Sequence, residues 1–322
     1  MTRTRSLASG LLSLSAAAVL ALTGVGGATA APAASEDQQT PSVARAAVST
    51  SGVTDYWTPE KMRNAIPGDV LAKRAMERGK ASGAAAAIQG KATKVPATKG
   101  KPTLAGNENP VRHIGKVFFT MGGYNYVCSG NSVASTNKST VSTAGHCVNE
   151  GPGAFATNFV FVPAYENGAA PYGKWAASQL FAPTDWSSKG DMTYDTGFAV
   201  VTTNASGQRL GDVVGGSGVA FNQAHGLTYK AFGYPAASPF NGETLKSCTG
   251  AASNDPYNPQ FNSQGISCDM TGGSSGGPWF IGTSSSGVQN SVNSYGYNRM
   301  AVMYGPYWGD VIQSTYNSAA TS

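Results

Sequence analysis

Residues 269–280, with the sequence DMTGGSSGGPWF, hold two adjacent serines between two pairs of glycines. A glycine-rich stretch of this kind either only bends the chain or holds a nucleophile for attack on a substrate. A serine hydroxyl is a weak nucleophile by itself, so the second possibility requires a base that takes its proton. The chemistry therefore depends on the histidines and carboxylates elsewhere in the chain.

Three histidines, His113, His146 and His225, are the candidates for that base. His146 follows a run of small and β-branched residues (STVSTAG) and is followed at once by Cys147. A lone histidine is usually structural or solvated, but a disulfide at Cys147 would fix the backbone beside the imidazole. A general base needs a fixed position of this kind, so His146 is the candidate.

A carboxylate that orients the imidazole is expected where a buried strand begins. Asp195 comes just before the apolar run at residues 197–201 (GFAVV), which is typical of a buried strand. A carboxylate at the mouth of such a strand is largely desolvated and needs a partner, such as the N–H of an imidazole. Asp191 is the alternative, but Thr193 and Tyr194 separate it from the apolar run, which favours a loop position.

Residues 273–277 (GSSGG) formally match the G-x-S-x-G pattern of the nucleophile elbow in α/β-hydrolases. That fold needs the chain order serine, acid, histidine, together with alternating strands and helices. No histidine follows Ser275, and helical patterns are nearly absent from this part of the sequence. The elbow interpretation therefore fails, and the order to be explained is His146, Asp195, Ser275.

The elements that would position these residues are short strands. From about residue 112, β-branched and aromatic runs such as GKVFFT, FVFVPAY and MAVMYG alternate with clusters of Gly, Asn, Pro and Ser. That pattern is typical of an all-β sandwich or a pair of barrels. One stretch near the end, GDVIQSTYNSA, has a helical pattern. About 210 residues suffice for one compact unit or two small barrels.

The first 110 residues differ in composition from the rest. Residues 1–30 combine two arginines, a long apolar stretch and the small-residue sequence ATA, which predicts a cleaved signal peptide. Residues 31–110 are rich in Ala, Gly, Lys and Thr with few large apolar residues, so we expect a largely disordered pro-segment. Within it, residues 58–78 have a helical pattern that starts at a Thr cap with Pro in the first position.

The formal net charge of +5 comes from this first part of the chain. Residues 1–110 contain 13 Lys and Arg against 7 Asp and Glu, whereas residues 111–322 contain 9 against 10. A nearly neutral remainder gives no support for a nucleic-acid partner. No later stretch approaches the roughly 18 apolar residues of a membrane-spanning helix, so we expect the mature protein not to enter a membrane.

The segments TAGHC, YDTGFAVV and GGSSGGPW, in this order, resemble motifs of the chymotrypsin-fold (trypsin-like) serine endopeptidases, in particular the secreted bacterial branch related to the glutamyl endopeptidases. The resemblance covers about residues 112–316. It implies an all-β fold of two six-stranded antiparallel β-barrels with a short C-terminal helix. It also implies protein or peptide substrates and chemistry that needs no metal and no other cofactor.

The resemblance assigns roles to individual residues. Ser275 would attack the carbonyl carbon, His146 would take and return the proton, and Asp195 would hold the imidazole. The backbone N–H groups of Gly273 and Ser275 would form the oxyanion hole. The strand that would pair with the substrate backbone consists of Ser294, Tyr295 and Gly296. An ordinary core strand is an equal alternative for these three residues.

The resemblance leaves the substrate side chain open. The sixth residue before Ser275 is acidic in trypsin-type pockets and is Asp269 here, where a buried carboxylate would favour Arg or Lys. Met270 would line the same cavity. A loop carboxylate without this role is the alternative for Asp269. Glutamyl endopeptidases have a pocket histidine where this chain has Asn293, so a preference for Glu is poorly supported.

Four cysteines, an even count behind a signal peptide, indicate disulfides. Zinc is the competing interpretation, but the sequence has no C-x-x-C motif and no paired histidine spacing. Four cysteines allow three pairings. The resemblance implies the pairs Cys128–Cys147, beside the histidine, and Cys248–Cys268, before the nucleophile.

We therefore expect a secreted, monomeric serine endopeptidase with a signal peptide (1–30), a pro-segment (31–110) and a protease domain (111–322). Ser274 occupies the place of the acid that pairs with the new amino terminus in animal trypsin-like enzymes. Maturation would then remove an obstructing leader, and residues 111–116 (VRHIGK) are the expected processing region. The alternatives are an inactive binding or adhesion protein of the same fold, and an esterase with the same triad.

Overall fold

A computed structural model describes residues 42–79, 89–99, 110–297 and 300–322. The predicted signal peptide, residues 1–30, lies outside these residues. No helix in the described ranges has the length and apolar character needed to cross a bilayer.

The described residues form short strands, a few helices and three 3₁₀ turns. The strands are β1 Val43–Ala47, β2 Ile66–Pro67, β3 Thr93–Val95, β4 Ile114–Met121, β5 Tyr124–Ser132, β6 Thr140–Thr143, β7 Thr157–Pro163, β8 Trp175–Pro183, β9 Gly197–Val201, β10 Val219–Phe221, β11 Thr228–Gly233, β12 Lys246–Ala251, β13 Ser253–Asn254, β14 Gln264–Ser267, β15 Pro278–Ile281, β16 Gln289–Val292 and β17 Val302–Gly305. The helices are α1 Val53–Tyr56, α2 Pro59–Arg63, α3 Asp69–Gly79, α4 Thr184–Lys189, α5 Leu210–Val214 and α6 Asp310–Ala320. The 3₁₀ turns are Gly145–Cys147, Met192–Tyr194 and Pro259–Phe261.

The first half of residues 111–322 forms a closed antiparallel barrel of six strands, in the order β4, β5, β6, β9, β8 and β7, with β7 returning to β4. Side chains of β4 alternate between two cores, as the period of a strand requires. Val117 and Phe119 join the larger core cluster, while Ile114 and Phe118 join a second cluster. Burial on both faces explains why the sequence of β4 is almost continuously apolar.

The backbone hydrogen bonds of the second half join its strands into two separate sheets. One has the order β12, β11, β15, β16, β10 and β3, and the other has the order β13, β14 and β17. β10 pairs with β16 in parallel through a single residue pair, Val219 with Gln289, so this half is not antiparallel throughout. It therefore differs in detail from the continuous six-stranded barrel of the sequence-based expectation, because β17 pairs with β14 and residues 93–95 supply an edge strand.

The predicted C-terminal helix is confirmed as α6. Its buried residues Ile312, Tyr316 and Ala319 recur at helical spacing, which gives the helix an apolar stripe. That stripe packs in one cluster with Phe221 and Trp308, whose rings stack 5.5 Å apart. The helix thereby covers one end of the core.

Residues 31–110 are called the leader below, and within it residues 42–79 and 89–99 are more structured than their composition predicts. β1 pairs with β8, β2 with β5 and β3 with β10. Trp57 is fully buried 5.4 Å from the ring of Phe118, and its indole N–H donates to the carbonyl oxygen of Asn158 at 2.6 Å. The expectation of a largely disordered pro-segment is thus corrected for residues 42–79 and 89–99. Trp57, Met62 and Leu71 of the leader are buried in core clusters with residues of the domain, a tertiary contribution that local composition does not reveal.

The predicted helical stretch at residues 58–78 is divided into α2 and α3. The side chain of Thr58 caps α2 by accepting a hydrogen bond from the N–H of Lys61 at 3.2 Å, as the Thr-Pro start predicts. Pro67 cannot continue a helix, and the N–H of Gly68 donates instead to Val127 of β5 at 2.9 Å. The break therefore ties the leader to the first barrel before α3 begins.

The expected processing region at residues 111–116 is corrected in part. Val111 is buried, and Ile114 begins β4, which is paired on both sides. Cleavage within residues 114–116 would require β4 to leave the barrel. The bond before Val111 precedes the strand and stays a candidate for processing.

Candidate active site

His146 lies in the Gly145–Cys147 turn, immediately after β6. Cys147 forms the predicted disulfide with Cys128 of β5, with an S–S distance of 2.03 Å. Gly145 is required here, because a Cβ atom on it would lie 2.9 Å from both the Asp195 carboxylate and the Trp186 ring. A short loop, a cross-link and a glycine thus fix the imidazole in a completely buried position.

The carboxylate of Asp195 faces His146 and holds both its backbone and its ring. Oδ1 accepts a hydrogen bond from the backbone N–H of His146 at 2.8 Å, and Oδ2 lies 2.8 Å from Nδ1. The hydroxyl of Ser294 donates to the same Oδ2. Both partners of the pair are fully buried. This arrangement leaves Nε2 facing away from the carboxylate, and Nε2 has no hydrogen-bond partner among the described residues.

Asp191, the alternative acid, has a structural role. Its side chain accepts a hydrogen bond from the N–H of Thr193 at 2.9 Å and so caps the Met192–Tyr194 turn. Burial raises the pKa of Asp191 above its ordinary value. The cap therefore positions the turn that ends at Asp195, and it is Asp195 that contacts the imidazole.

The other two histidines lie elsewhere. His113 hydrogen-bonds through Nδ1 to Asn131 at 2.7 Å, and burial lowers its pKa. His225 is exposed and stacks on Tyr307 at 4.7 Å between ring centroids. Neither is joined to a buried carboxylate by a hydrogen bond, so both have the structural or solvated character expected of most histidines.

The two serines of the GGSSGG loop have different environments. Ser274 turns its hydroxyl into the loop and donates to the carbonyl oxygen of Thr271 at 2.7 Å. Ser275 lines the neighbouring cavity, as Ser274 does, but none of the described residues accepts a hydrogen bond from its hydroxyl. Its carbonyl oxygen accepts a hydrogen bond from the N–H of Ser129 at 2.7 Å, which joins the loop to the first barrel. Of the two serines, Ser275 is therefore the one whose hydroxyl is not bonded within the loop.

Two glycines give the loop its path. Gly273 and Gly276 have φ angles of 96° and 80°, in the left-handed region that favours glycine. A Cβ atom on Gly276 would lie 2.1 Å from Oγ1 of Thr143, which places the loop against the strand that leads to His146. The N–H groups of Gly273 and Ser275 donate to no residue in the described part of the chain. Two free amides beside one serine are what an oxyanion hole requires.

No hydrogen bond joins the hydroxyl of Ser275 to Nε2 of His146 in this structure. Such contacts are often long in the absence of substrate. The geometry thus provides an oriented imidazole, a serine in the adjoining cavity and unpaired amides. These are the components of acyl transfer.

Two solved structures that are similar to this chain are proteases. The chain is 70% identical to the protease Anisep from Arthrobacter nicotinovorans, over 71% of this chain and 100% of that one, with a TM-score of 0.65. It is 52% identical to the thermostable serine protease AL20 from an extremophilic microorganism, over 66% and 98% of the two chains, with a TM-score of 0.64. The chain belongs to the trypsin-like serine proteases.

More distant comparisons add the fold alone or a short match. A Glu endopeptidase is 21% identical over 72% of this protease and 97% of its own chain, with a TM-score of 0.51. No family model matches the chain. The "Extracellular metalloprotease" of Bacillus subtilis (strain 168) is 29% identical over 118 residues, which are 36% of this chain and 35% of that protein. The chain thus spans about a third of the length of that curated relative.

A grouping of potential metal ligands lies at the histidine turn of this protease. It comprises His146, Cys128 and Cys147. The two sulfurs are joined to each other in the disulfide, so neither is available as a thiolate ligand. The chemistry of this donor set does not fit a metal site.

A cavity of about 430 Å³ adjoins Ser275. Ser294, Tyr295 and Gly296, which are predicted to pair with the substrate backbone, line it. Ser294 and Tyr295 are also held from behind, because their N–H groups donate to the carbonyl oxygen of Tyr304 at 2.9 and 3.3 Å. The N–H of Gly296 donates to no described residue.

The two predicted pocket residues differ in exposure. Met270 is buried and lines the cavity, whereas Asp269, which also lines it, is exposed to solvent. The hypothesis of a buried carboxylate at Asp269 is therefore corrected. The second predicted disulfide, Cys248–Cys268, is present next to it and ties β12 to the loop that leads to the nucleophile. Asp269 follows this cross-link at the surface.

Asn293 has a structural role in this protease where glutamyl endopeptidases have a pocket histidine. Its amide NH₂ donates to the carbonyl oxygens of Phe232 and Ser274 at 2.8 and 2.9 Å. Its carbonyl oxygen accepts from the indole of Trp279 at 2.7 Å. Because its side chain forms all these bonds and is fully buried, Asn293 stabilises the serine loop, and its amide is not available to a substrate.

Asp255 is a site residue that the sequence analysis missed. Its buried carboxylate accepts hydrogen bonds from the hydroxyls of Tyr295 and Tyr297 at 2.8 and 2.6 Å. The N–H groups of Tyr257 and Asn258 bond its other oxygen at 2.8 and 3.2 Å. Its sequence context, SNDPYNP, has the composition of an ordinary turn, so no local signal distinguishes it.

Proposed function

We propose that this protein is a secreted serine endopeptidase that uses Ser275, His146 and Asp195 as a catalytic triad. The observation that carries the proposal is the buried His146–Asp195 pair, whose Nε2 is unpartnered. The disulfides support secretion, because such bonds persist in oxidising compartments. Its substrates are proteins or peptides, and it acts as a monomer.

In the proposed reaction, the hydroxyl oxygen of Ser275 bonds to the carbonyl carbon of the substrate while Nε2 of His146 takes the hydroxyl proton. The negative charge on the substrate oxygen is stabilised by the N–H groups of Gly273 and Ser275. His146 then returns the proton to the leaving amine as the C–N bond breaks, leaving an acyl-enzyme. Water, activated in the same way, releases the acid and restores the serine. These roles follow the general template of the family.

Active-site labelling tests this proposal. A fluorophosphonate should label the mature protein, and Ser275→Ala should abolish both labelling and peptide hydrolysis. Asp195→Asn should lower kcat about 10⁴-fold, the loss that the family template gives for this change. Ser274→Ala serves as the matched control and should keep the labelling. Absence of labelling in the wild type would support the inactive binding protein, and labelling with ester but no peptide turnover would support the esterase.

The proposal includes a precursor whose leader covers the cleft. α3 lines the cavity together with the nucleophile loop. The carboxylate of Asp69 lies so close to Gly272 that a Cβ atom on this glycine would be 2.0 Å from Oδ1. Since Gly272 is next to the proposed oxyanion hole, a substrate carbonyl cannot enter while α3 is in place. Removal of the leader would then be the activating step.

Several contacts hold α3 in this position. Leu71 and Ala75 are buried in the same core cluster as Cys147. Arg78 donates to the carbonyl oxygens of Glu150 and Gly151 at 2.7 and 2.8 Å. Burial of two apolar side chains typically contributes a few kcal/mol, which is sufficient to keep a tethered helix in the cleft.

The labelling rate of the unprocessed chain tests the role of α3. The full precursor should react with a fluorophosphonate at least about tenfold more slowly than the processed enzyme. Leu71→Asp should accelerate labelling of the unprocessed chain, because a buried charge detaches the helix. Arg74→Glu, on the exposed face of α3, is the matched control. Equal rates for unprocessed and processed wild type would disprove the obstruction and leave the triad proposal intact.

A further inference from the structure

The cavity beside Ser275 has walls rich in methionine. Of the eight methionines in the chain, four line it. Three belong to the protease domain, Met270, Met300 and Met303, and the fourth is Met76 of α3. Methionine is flexible and polarisable and is favoured at apolar surfaces that must adapt to varied partners. Val302, which lies between Met300 and Met303 in the sequence, also lines the cavity.

The tyrosines of the cavity present their rings rather than their hydroxyls. Tyr295 and Tyr297 both line the cavity, and both hydroxyls donate to the buried carboxylate of Asp255. The two rings contact each other edge to face, with centroids 5.7 Å apart. Because each hydroxyl is already bonded, the surface left for a ligand is the aromatic body of the ring.

Charge on the described cavity wall is sparse and poorly placed for a charged ligand. Lys73 and Asp69, both from α3, pair with each other at 2.8 Å. Asp269, in the protease domain, is exposed and solvated. A solvated carboxylate attracts a cation weakly, since water screens the interaction. The described walls therefore favour an apolar side chain over a basic or acidic one.

The leader itself places an apolar side chain in this cavity. Met76 is half-buried and packs against the core cluster that contains Tyr295. The same helix covers the nucleophile loop through Asp69. Of the four α3 residues that line the cavity, Met76 has the long, unbranched and uncharged side chain, whereas Lys73 and Asp69 pair with each other.

From these observations we infer that the protease cleaves after large apolar residues, in particular Met, Leu and Phe, and that Met270 is a specificity-determining residue. The inference rests on the proposed function of the same site. In the complex, the substrate side chain before the scissile bond occupies the cavity lined by Met270, Val302 and Tyr295. Apolar burial supplies the selectivity, and a missing or additional methylene in such a pocket is worth about 10- to 200-fold in kcat/KM.

Peptides that differ only in the residue before the scissile bond test the inference. The processed enzyme is first titrated with a fluorophosphonate, so that all rates refer to active sites. We expect kcat/KM for Leu, Met and Phe peptides to exceed that for Arg and Glu peptides by at least about tenfold. Met270→Ser should reduce the Leu-to-Ala selectivity ratio by about tenfold. A ratio is insensitive to the amount of folded enzyme.

The proposed activity and the inferred apolar specificity can be overturned separately. Absence of titratable sites would overturn the proposed function. Titratable enzyme that cleaves after Arg or Lys, with Asp269→Asn removing this preference, would overturn the apolar inference and place a functional carboxylate in the pocket. Cleavage after Glu would overturn it as well. An unchanged Leu-to-Ala ratio in Met270→Ser would remove Met270 from specificity.

Discussion

The hydroxyl of Ser294 donates to Oδ2 of Asp195, the same carboxylate oxygen that lies 2.8 Å from Nδ1 of His146. The family resemblance implies that Ser294 pairs with the substrate backbone, yet its side chain points to the acid. The segment 294–296, which lines the cavity, and the pair that would activate the serine are thereby connected through one residue.

Ser294→Ala should lower kcat with little effect on KM, because it keeps the backbone but removes a hydrogen bond to a buried carboxylate. Such bonds are worth about 1.5–3 kcal/mol, so kcat should fall by about 10- to 100-fold. Steady-state kinetics of titrated enzyme measure the effect. Ser291→Ala is the matched control, since Ser291 is buried on β16 and donates to Pro306 at 2.8 Å, away from the acid. Similar losses in both variants would contradict a positioning role for Ser294.

Asn293→Ala should destabilise the fold by about 3 kcal/mol or more. The change leaves the carbonyl oxygens of Phe232 and Ser274 and the indole of Trp279 without this partner, and each unsatisfied buried group costs about 1–3 kcal/mol. Thermal unfolding in a Ser275→Ala background, which prevents self-digestion, measures the loss. Asn241→Ala provides the exposed control, and its Tm should stay within a few degrees. If Asn293→Ala had the same Tm as the control, the Asn293 amide would make no contribution to the stability of the fold.

Gly276→Ala should disrupt the serine loop more than a matched change at Gly282. Both glycines have positive φ, 80° and 98°, so alanine adds about 1–2 kcal/mol of backbone strain at either position. Only at Gly276 would the new Cβ collide, 2.1 Å from Thr143 and 2.5 Å from Ser129. Denaturant unfolding should therefore give a clearly larger loss for Gly276→Ala. Equal losses would show that the loop moves freely away from the barrel.

Stability should rise with pH above pH 8 because of Lys116. Burial lowers the pKa of its ammonium group to about 8, while its Nζ donates to Gly242 at 3.0 Å. Between pH 8 and the ordinary lysine pKa, the unfolded chain binds more protons, so the free energy of unfolding increases with pH by up to about 3 kcal/mol. Below pH 8 both states carry the charge, and this contribution does not vary.

Lys116→Met should remove this pH-dependent contribution. Denaturant unfolding at pH 7.5 and pH 10, in a Ser275→Ala background, compares the variant with the parent. Lys246→Met, at an exposed position of β12, is the control and should follow the parent at both values. A pH dependence of Lys116→Met identical to the parent's would assign the effect to other groups, Glu243 or Tyr165 among its neighbours.

Features encoded by neighbouring residues could be predicted from the sequence. The period-two and continuous apolar runs predicted the strands, and the stretch GDVIQSTYNSA predicted α6. The placement of Asp195 before GFAVV predicted its contact with His146, because the start of a buried strand leaves a carboxylate few other partners. The cysteine count predicted disulfides, and the family resemblance implied both pairs.

Features that depend on distant residues could not be predicted. The exposure of Asp269 depends on how the loop leaves Cys268. The role of Asp255 depends on two tyrosines about 40 residues later, and that of Asn293 on contacts with β11 and the serine loop. The order of strands in the second half depends on β3, which comes from the leader. None of these partners is visible in local composition or periodicity.

The sequence by itself determined the residue types of the site, their order and the strands that carry them, because local propensity, apolar periodicity and motif spacing are properties of neighbours. Only the tertiary structure decided that α3 covers the cleft, that the hydroxyl of Ser274 is bonded within the loop while that of Ser275 is not, and that methionines and aromatic rings line the cavity. The reason is physical. Burial and hydrogen bonding are settled between segments far apart in the chain, and folding alone brings them into contact.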